Sequence, residues 1–200
     1  MKRFWQFVRS FGTRTHAIGD GALVISALRP DQLDGVMAIE NQAFPTPWSK
    51  SLFADELVVP ETRIYLSCVR DGHVIGYVGA MLVIDEAHIT TIAVAKDERG
   101  KGIGKALLYH CLTQAIAKGA VAATLEVRLR DAGAQALYHQ FGFAPAGIRK
   151  NYYAEENEDG LVMWAHGLQE TDSRERFVRL GAELLALDYP LPSGASDGAR

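Results

Sequence analysis

The densest chemical signal in the chain is the run Arg99-Gly100-Lys101-Gly102-Ile103-Gly104-Lys105. It falls between a β-rich segment and a helical one, where free backbone N–H groups and the helix dipole can receive a diphosphate. Its glycines let the backbone approach closely, and Arg99, Lys101 and Lys105 add positive charge. A purely structural turn is the competing reading. The spacing is not that of a Walker loop, because only three residues separate Gly100 from Gly104 and Ala106 stands where a magnesium-binding Ser/Thr would be. Nor is it a dinucleotide fingerprint, since the glycines run GxGxG after an antiparallel meander. Glu126 is the second candidate: a carboxylate in mid-strand between Leu125 and Val127 is costly unless it is used or paired, for instance with Arg128. Tyr138, beside Leu137 and Phe141, reads by itself as a core aromatic. The acids Glu155, Glu156, Glu158 and Asp159 follow Asn151-Tyr152-Tyr153 and form either a solvated turn or an attractor for a cationic peptide. Six histidines without HxH or HExxH spacing give no metal site.

These residues need a scaffold, and the periodicities supply one. Ala22 to Leu28 reads as a strand, Asp31 to Ala43 as a helix, and a second helix starts near Ser49 after Pro45 and Pro47. Thr62 to Arg70 and His73 to Ile84 are β-runs joined by Asp71-Gly72, a hairpin signal, and Ala87 to Ala95 continues the meander. Beyond the glycine turn, Leu107/Leu108, Cys111/Leu112 and Ala115/Ile116 mark a helix ending at Gly119. Val121 to Leu129 must then return parallel to Ala87 to Ala95, because a helical crossover separates them. Asp131 to Phe141 is a helix, and Phe143 to Arg149 and Leu161 to Leu168 are the last strands. The fold class is α/β, with a mixed, mostly antiparallel sheet and flanking helices. Beyond Thr171, Phe177, Leu180, Leu184 and Leu187 mark one more amphipathic helix, with Asp172 and Glu175 as a capping box. Gly181 costs this helix about 1 kcal/mol relative to alanine, so packing must hold it.

Composition bounds the rest. The 200 residues are 48% hydrophobic and 22% charged with net charge −3, which describes a soluble globular domain. The longest uncharged apolar run, Val74 to Ile84, is shorter than the roughly 18 to 20 residues of a membrane span. Two cysteines make no disulfide framework, so a reducing cytoplasm is expected. The near-neutral balance argues against direct nucleic-acid binding. Residues 1–20 carry Lys2, Arg3, Arg9 and Arg14 against Asp20, a charge of +3, which leaves −6 on residues 21–200. Phe4, Phe7, Val8 and Phe11 recur there at helical spacing, as a self-packed extension or a surface-binding helix for anionic lipid or RNA. Three parts result: a basic extension (1–20), a domain (21–169), and a C-terminal helix with a disordered tail (170–200).

Arg99-x-x-Gly102-x-Gly104 after Ile89 to Ala95 resembles the coenzyme A pyrophosphate loop of the GCN5-related N-acetyltransferases (GNAT), whose order of elements is also the one above. Within that superfamily, Ala43-Phe44-Pro45-Thr46-Pro47-Trp48, Leu125-Glu126-Val127-Arg128, Ala136-Leu137-Tyr138 and Asn151-Tyr152-Tyr153 are similar to the ribosomal-protein alanine N-acetyltransferases (RimI type). The resemblance covers about residues 22–169.

It implies acetyl-CoA as co-substrate, two parallel strands splayed apart, and pantetheine bonded to the backbone of Ile92, Ala93 and Val94. Arg99, Gly100, Lys101, Gly102, Ile103, Gly104 and Lys105 would hold the pyrophosphate. Glu126 matches the general base and Tyr138 the general acid, while Trp48, Tyr152 and Tyr153 would wall the acceptor groove. Asp131 stands where the family has an asparagine contacting coenzyme A; it can accept but not donate as an amide does, and serves equally as a helix N-cap. The family's acceptor is the N-terminal alanine of a small-subunit ribosomal protein, a basic peptide. Charge arithmetic agrees: an α-amine of pKa near 8 costs about 1.4 kcal/mol to deprotonate at pH 7, a lysine about 4.6. Cys111 lies on its helix's apolar stripe and reads as core, so direct transfer is expected without an acyl-enzyme. A GNAT enzyme acting on lysine or a small amine, and a silent acyl-CoA sensor, are the alternatives.

Overall fold

The computed structural model describes residues 23–189. The basic extension and the tail from Pro190 onward lie outside the described residues.

Seven strands form one sheet: β1 (Leu23–Ala27), β2 (Arg63–Arg70), β3 (His73–Val83), β4 (Glu86–Val94), β5 (Ala122–Arg128), β6 (Ala144–Tyr153) and β7 (Glu158–Ala165), in the order β1-β2-β3-β4-β5-β7-β6. Among the described residues, five α-helices flank it: α1 (Leu33–Ala43), α2 (Lys50–Leu57), α3 (Ile103–Ala117), α4 (Ala132–Gln140) and α5 (Thr171–Ala186). The hairpin at Asp71-Gly72 forms with both residues at positive φ, 51° and 80°, as a two-residue turn between twisted strands requires. Ser49 caps α2 by accepting from the Leu52 N–H at 3.2 Å. The largest boundary shifts are at the last two strands: β6 runs on to Tyr153 instead of ending at Arg149, and β7 is Glu158–Ala165 instead of Leu161 to Leu168.

The parallel return of β5 beside β4 is present, but only over Glu86↔Ala122 to Ile89↔Leu125. Just past that last rung, the β3–β4 register shifts between Gly79/Ala80, leaving Thr90 as the extra residue of a bulge. A bulge bends and overtwists its strand, which carries the end of β4 away from β5. It also exchanges the two faces. Ala87 and Ile89 lie in the core beneath α3, whereas Ala93 joins the cluster beneath α1 and α2, and Ile92 and Val94 take over the α3 side.

The core is accordingly double. Val36, Ile39, Phe53, Tyr65 and Tyr77 fill the α1/α2 face, with Phe53 edge-on to both tyrosines. The larger cluster joins α3, α4 and α5 to the other face. Helix α3 is buried nearly all round, Tyr109 and Cys111 included, because α5 lies across it with Phe177 5.7 Å from the Tyr109 ring. The expected Asp172/Glu175 capping box is absent. The N-cap of α5 is Glu170, and Asp172 sits in the first turn, where a negative charge still suits the dipole. Phe177, Leu180 and Leu184 are buried as expected, and so is Gly181; Leu187 is exposed.

Candidate active site

The site lies where β4 and β5 part. Strand alternation sends Leu125 and Val127 into the α3-side core and Glu126 to the opposite face. The apolar setting expected for Glu126 is therefore behind it, on the other side of the sheet. Its own surroundings are polar: His88 Nε2 lies 2.8 Å from one carboxylate oxygen and Arg149 3.1 Å from the other. The parallel register explains His88, which pairs with Thr124 and so lies diagonal to Glu126 on the same face. Arg128, the partner suggested by proximity in sequence, is taken elsewhere. It bonds Glu156 at 2.5 Å and lies over the Tyr153 ring. The Glu126 side chain is only 5% exposed but that of Arg149 is 55% exposed, so this pair is not locked inside the protein.

Tyr138 is buried against Phe143, at the α4 end of the larger cluster. Burial, with Tyr153 and Asp131 adding to it, pushes its phenol above the ordinary value, so it is a protonated group at neutral pH. Asp131 caps α4: its carboxylate accepts the Ala134 N–H at 2.9 Å, which satisfies one orphan donor of the helix carrying Tyr138.

In the glycine turn, Gly100 and Gly102 have φ of 76° and 89°, a region that L side chains rarely adopt, and Gly102 is the N-cap of α3. The cradle fits an anionic phosphate group through its backbone. The first N–H groups of α3 have no acceptor within the helix, and neither Gly100 nor Gly104 has anything closer than 3.5 Å to the place of an added Cβ. The basic side chains expected to supply charge are each engaged. Arg99 donates to the Val94 carbonyl at 3.1 Å, Lys101 to Glu98 at 3.2 Å, and Lys105 to Glu183. Ile103 is buried and packs into the core. Of the strand proposed for pantetheine, Ile92, Ala93 and Val94 all lie beyond the last β4–β5 rung, where that edge of β4 has no strand partner among the described residues.

Trp48, Tyr152 and Tyr153, expected along an acceptor groove, come from the α1–α2 connection and the end of β6. Trp48 leans on Phe53 at 5.5 Å, and its backbone N–H donates at 2.9 Å to Glu40, whose other oxygen accepts from Tyr77. Burial raises the Glu40 carboxyl above the ordinary range. The Tyr153 hydroxyl donates to the Glu126 carbonyl at 3.4 Å, and exposed Tyr152 stands edge-on to Tyr153 with Arg149 over its ring. The four acids are less free than expected: Glu155 accepts from Thr46, Glu156 from Arg128, and Glu158 from the Arg130 N–H, while Asp159 binds Lys150. His88, Arg149 and Glu40 were not singled out from the sequence. Only the register could have pointed to His88.

Cys111 is fully buried and its thiol is pushed up to about 12 by burial, the reverse of an activated nucleophile. Cys111→Ala is expected to leave turnover within about twofold and to cost about 1 kcal/mol of stability. Steady-state rates and a thermal melt check both, and loss of turnover in a folded variant would bring back an acyl-cysteine. Among the described residues, no three His, Cys, Asp or Glu side chains gather as metal ligands, and no helix is long and apolar enough to cross a membrane.

Residues 33–143 match the acetyltransferase (GNAT) family. A Bacillus subtilis (strain 168) protein, provisionally named as a [ribosomal protein bS18]-alanine N-acetyltransferase, is 41% identical over 137 residues, 68% of this chain and 91% of that protein. The Escherichia coli (strain K12) protein named [ribosomal protein bS18]-alanine N-acetyltransferase is 35% identical over 141 residues, 70% of this chain and 94% of that one. The crystal structure of the ribosomal-protein-S18-alanine N-acetyltransferase from Escherichia coli superposes with a TM-score of 0.66 at 33% identity, covering 72% of this chain and 94% of that one. With the parted parallel pair and the left-handed glycine turn at the head of α3, these similarities make the chain a member of the acetyltransferase (GNAT) family.

Proposed function

We propose that this enzyme transfers the acetyl group of acetyl-CoA to the α-amine of an N-terminal alanine on ribosomal protein bS18, in the cytoplasm. The observation that carries the reading is the carboxylate of Glu126, one residue past the last rung of the parting strands and facing the α1/α2 side. Acetyl-CoA, when bound, supplies a thioester acetyl and a thiolate leaving group. The backbone at Gly100, Gly102 and Gly104, with Ile103, holds the pyrophosphate, and the edge of β4 at Ile92, Ala93 and Val94 offers the pantetheine amides those backbone groups left over beside the Arg99 bond to the Val94 carbonyl. Asp131 serves α4 as its cap.

Glu126 accepts the proton that the attacking amine loses, directly or through one water. His88 and Arg149 hold its two oxygens, which fixes the orientation of the carboxylate. Tyr138 donates a proton to the departing sulfur. One N–C bond forms, one S–C bond breaks, and one proton moves at each end. Trp48, Tyr152 and Tyr153 wall the acceptor groove. Because the acids near Tyr153 are already paired within the chain, specificity for a basic peptide rests on the groove more than on a free acidic field.

Purified protein given acetyl-CoA and a synthetic peptide beginning with alanine and followed by basic residues should yield a product acetylated only on the α-amine by tandem mass spectrometry. Label confined to lysine side chains would reject the acceptor, and coenzyme A binding without turnover on any amine would reject the enzyme reading.

A further inference from the structure

Helix α5 and Leu187 to Tyr189 after it lie outside the stretch matched to the family, yet they reach the glycine turn. The Tyr189 hydroxyl donates to the Lys101 carbonyl. The Tyr189 ring lies 3.3 to 3.6 Å from where a Cβ on Gly102 would stand, so the left-handed glycine and the ring are in direct apposition. Within α5, six residues earlier, Glu183 takes the Lys105 ammonium from the first turn of α3. Tyr189 itself is buried, which lifts its phenol above the ordinary value and keeps the hydroxyl a donor. From just before the turn, Glu98 holds Lys101 and Arg70. Helix α5 with Tyr189 thus grips the turn from one side while Glu98 grips it from its N-terminal end.

The consequence follows from peptide geometry. Every described peptide bond is trans, and in a trans peptide the C=O of one residue and the N–H of the next point in opposite directions. Fixing the Lys101 carbonyl toward Tyr189 therefore fixes the Gly102 N–H away from α5. Gly102, with φ of 89°, is the residue most free to let that peptide plane turn over. If it turned, a carbonyl oxygen would face the phosphate where a donor is needed.

We propose that Tyr189 is a positioning residue for acetyl-CoA: through its hydrogen bond to Lys101 it locks the Lys101–Gly102 peptide plane with the N–H facing the pyrophosphate site. The lock preorganises the turn, so its loss weakens the hold on the co-substrate and leaves the chemical step alone. This rests on the reading of the turn as the pyrophosphate loop.

The test uses the full chain and the variants Tyr189→Phe, which keeps the ring and removes the hydrogen bond, and Tyr189→Ala, which removes both. Calorimetric binding of acetyl-CoA to the wild type comes first. Absence of binding there would overturn the loop reading and this inference together. With binding established, the KM and Kd for acetyl-CoA should rise about threefold in Tyr189→Phe and about tenfold or more in Tyr189→Ala, the range of one to two neutral interactions. kcat and the KM for peptide should stay within about twofold. Amide exchange over residues 100–104, measured without ligand, should quicken in Tyr189→Ala. Unchanged acetyl-CoA affinity in folded Tyr189→Phe would overturn the positioning role while leaving the loop reading intact. A loss of kcat and of both KM values together would show general damage to the fold and also overturn it.

Discussion

Glu126→Gln is expected to lower kcat by about 10²-fold or more, with the KM for acetyl-CoA within about twofold. Positioned general bases contribute about 10²- to 10⁴-fold, and glutamine keeps the shape and one acceptor while losing the ability to take a proton. The variant should fold. Arg149, the partner it would leave, is more than half exposed and can turn to water, and His88 can still bond the amide oxygen. Initial rates over a range of acetyl-CoA, together with circular dichroism, decide the matter. Wild-type turnover at saturating substrates would remove Glu126 from the proton path and leave it as a structural partner of His88 and Arg149.

Tyr138→Phe should lower kcat by a comparable factor of about 10² by removing the proton given to the leaving sulfur. The ring stays in place against Phe143, so stability should change by no more than about 1 kcal/mol. The pH dependence separates this from a packing effect. An acid works in its protonated form, and burial raises the Tyr138 phenol above its ordinary value of about 10. The acid therefore remains competent through pH 10 and is lost only above it. The acceptor α-amine, of pKa about 8, must instead be neutral, so wild-type kcat/KM should climb through pH 8, where the amine is half neutral, and stay level from about pH 9 to pH 10. In Tyr138→Phe the rate should be low across that range. A wild-type rate falling between pH 8 and 10 would exclude a buried phenol of raised pKa as the required acid.

Much of the scaffold was legible in the residues because its determinants are local. Asp71-Gly72 encodes its own turn, the four-residue repeat of apolar pairs marks α3, and the helical crossover forces β5 to run parallel to β4. Ser49 and Asp131 cap their helices with their own side chains. The glycine turn was legible for the same reason, since positive φ at Gly100 and Gly102 is a demand on residue type. The Asp172/Glu175 box was misjudged because a cap pattern fixes a helix start only if the preceding chain allows it. Here the chain enters α5 one turn beyond Gly167, itself at positive φ, and the helix begins at Thr171.

Partnerships across the sheet were a different matter. From sequence, Arg128 is one candidate cation for Glu126, but residues two apart on a strand project in parallel about 7 Å from each other, and Arg128 goes to Glu156 instead. Arg149, reached through β7 from the far edge of the sheet, takes its place. The bulge at Thr90 decides where the parallel pair parts and which of Ile92, Ala93 and Val94 faces α3. Helix α5 turns an amphipathic α3 into a buried one and brings Tyr189 and Glu183 to the glycine turn, from 88 and 78 residues away in the chain. Residue types and short spacings determined the elements, the turn and the carboxylate candidate Glu126, because backbone propensity and capping act within a few residues; Tyr138 stood out only through the resemblance to the family. The tertiary structure alone decided what those candidates touch, because register, bulges and helix docking set distances between residues whose separation along the chain carries no information about their separation in space.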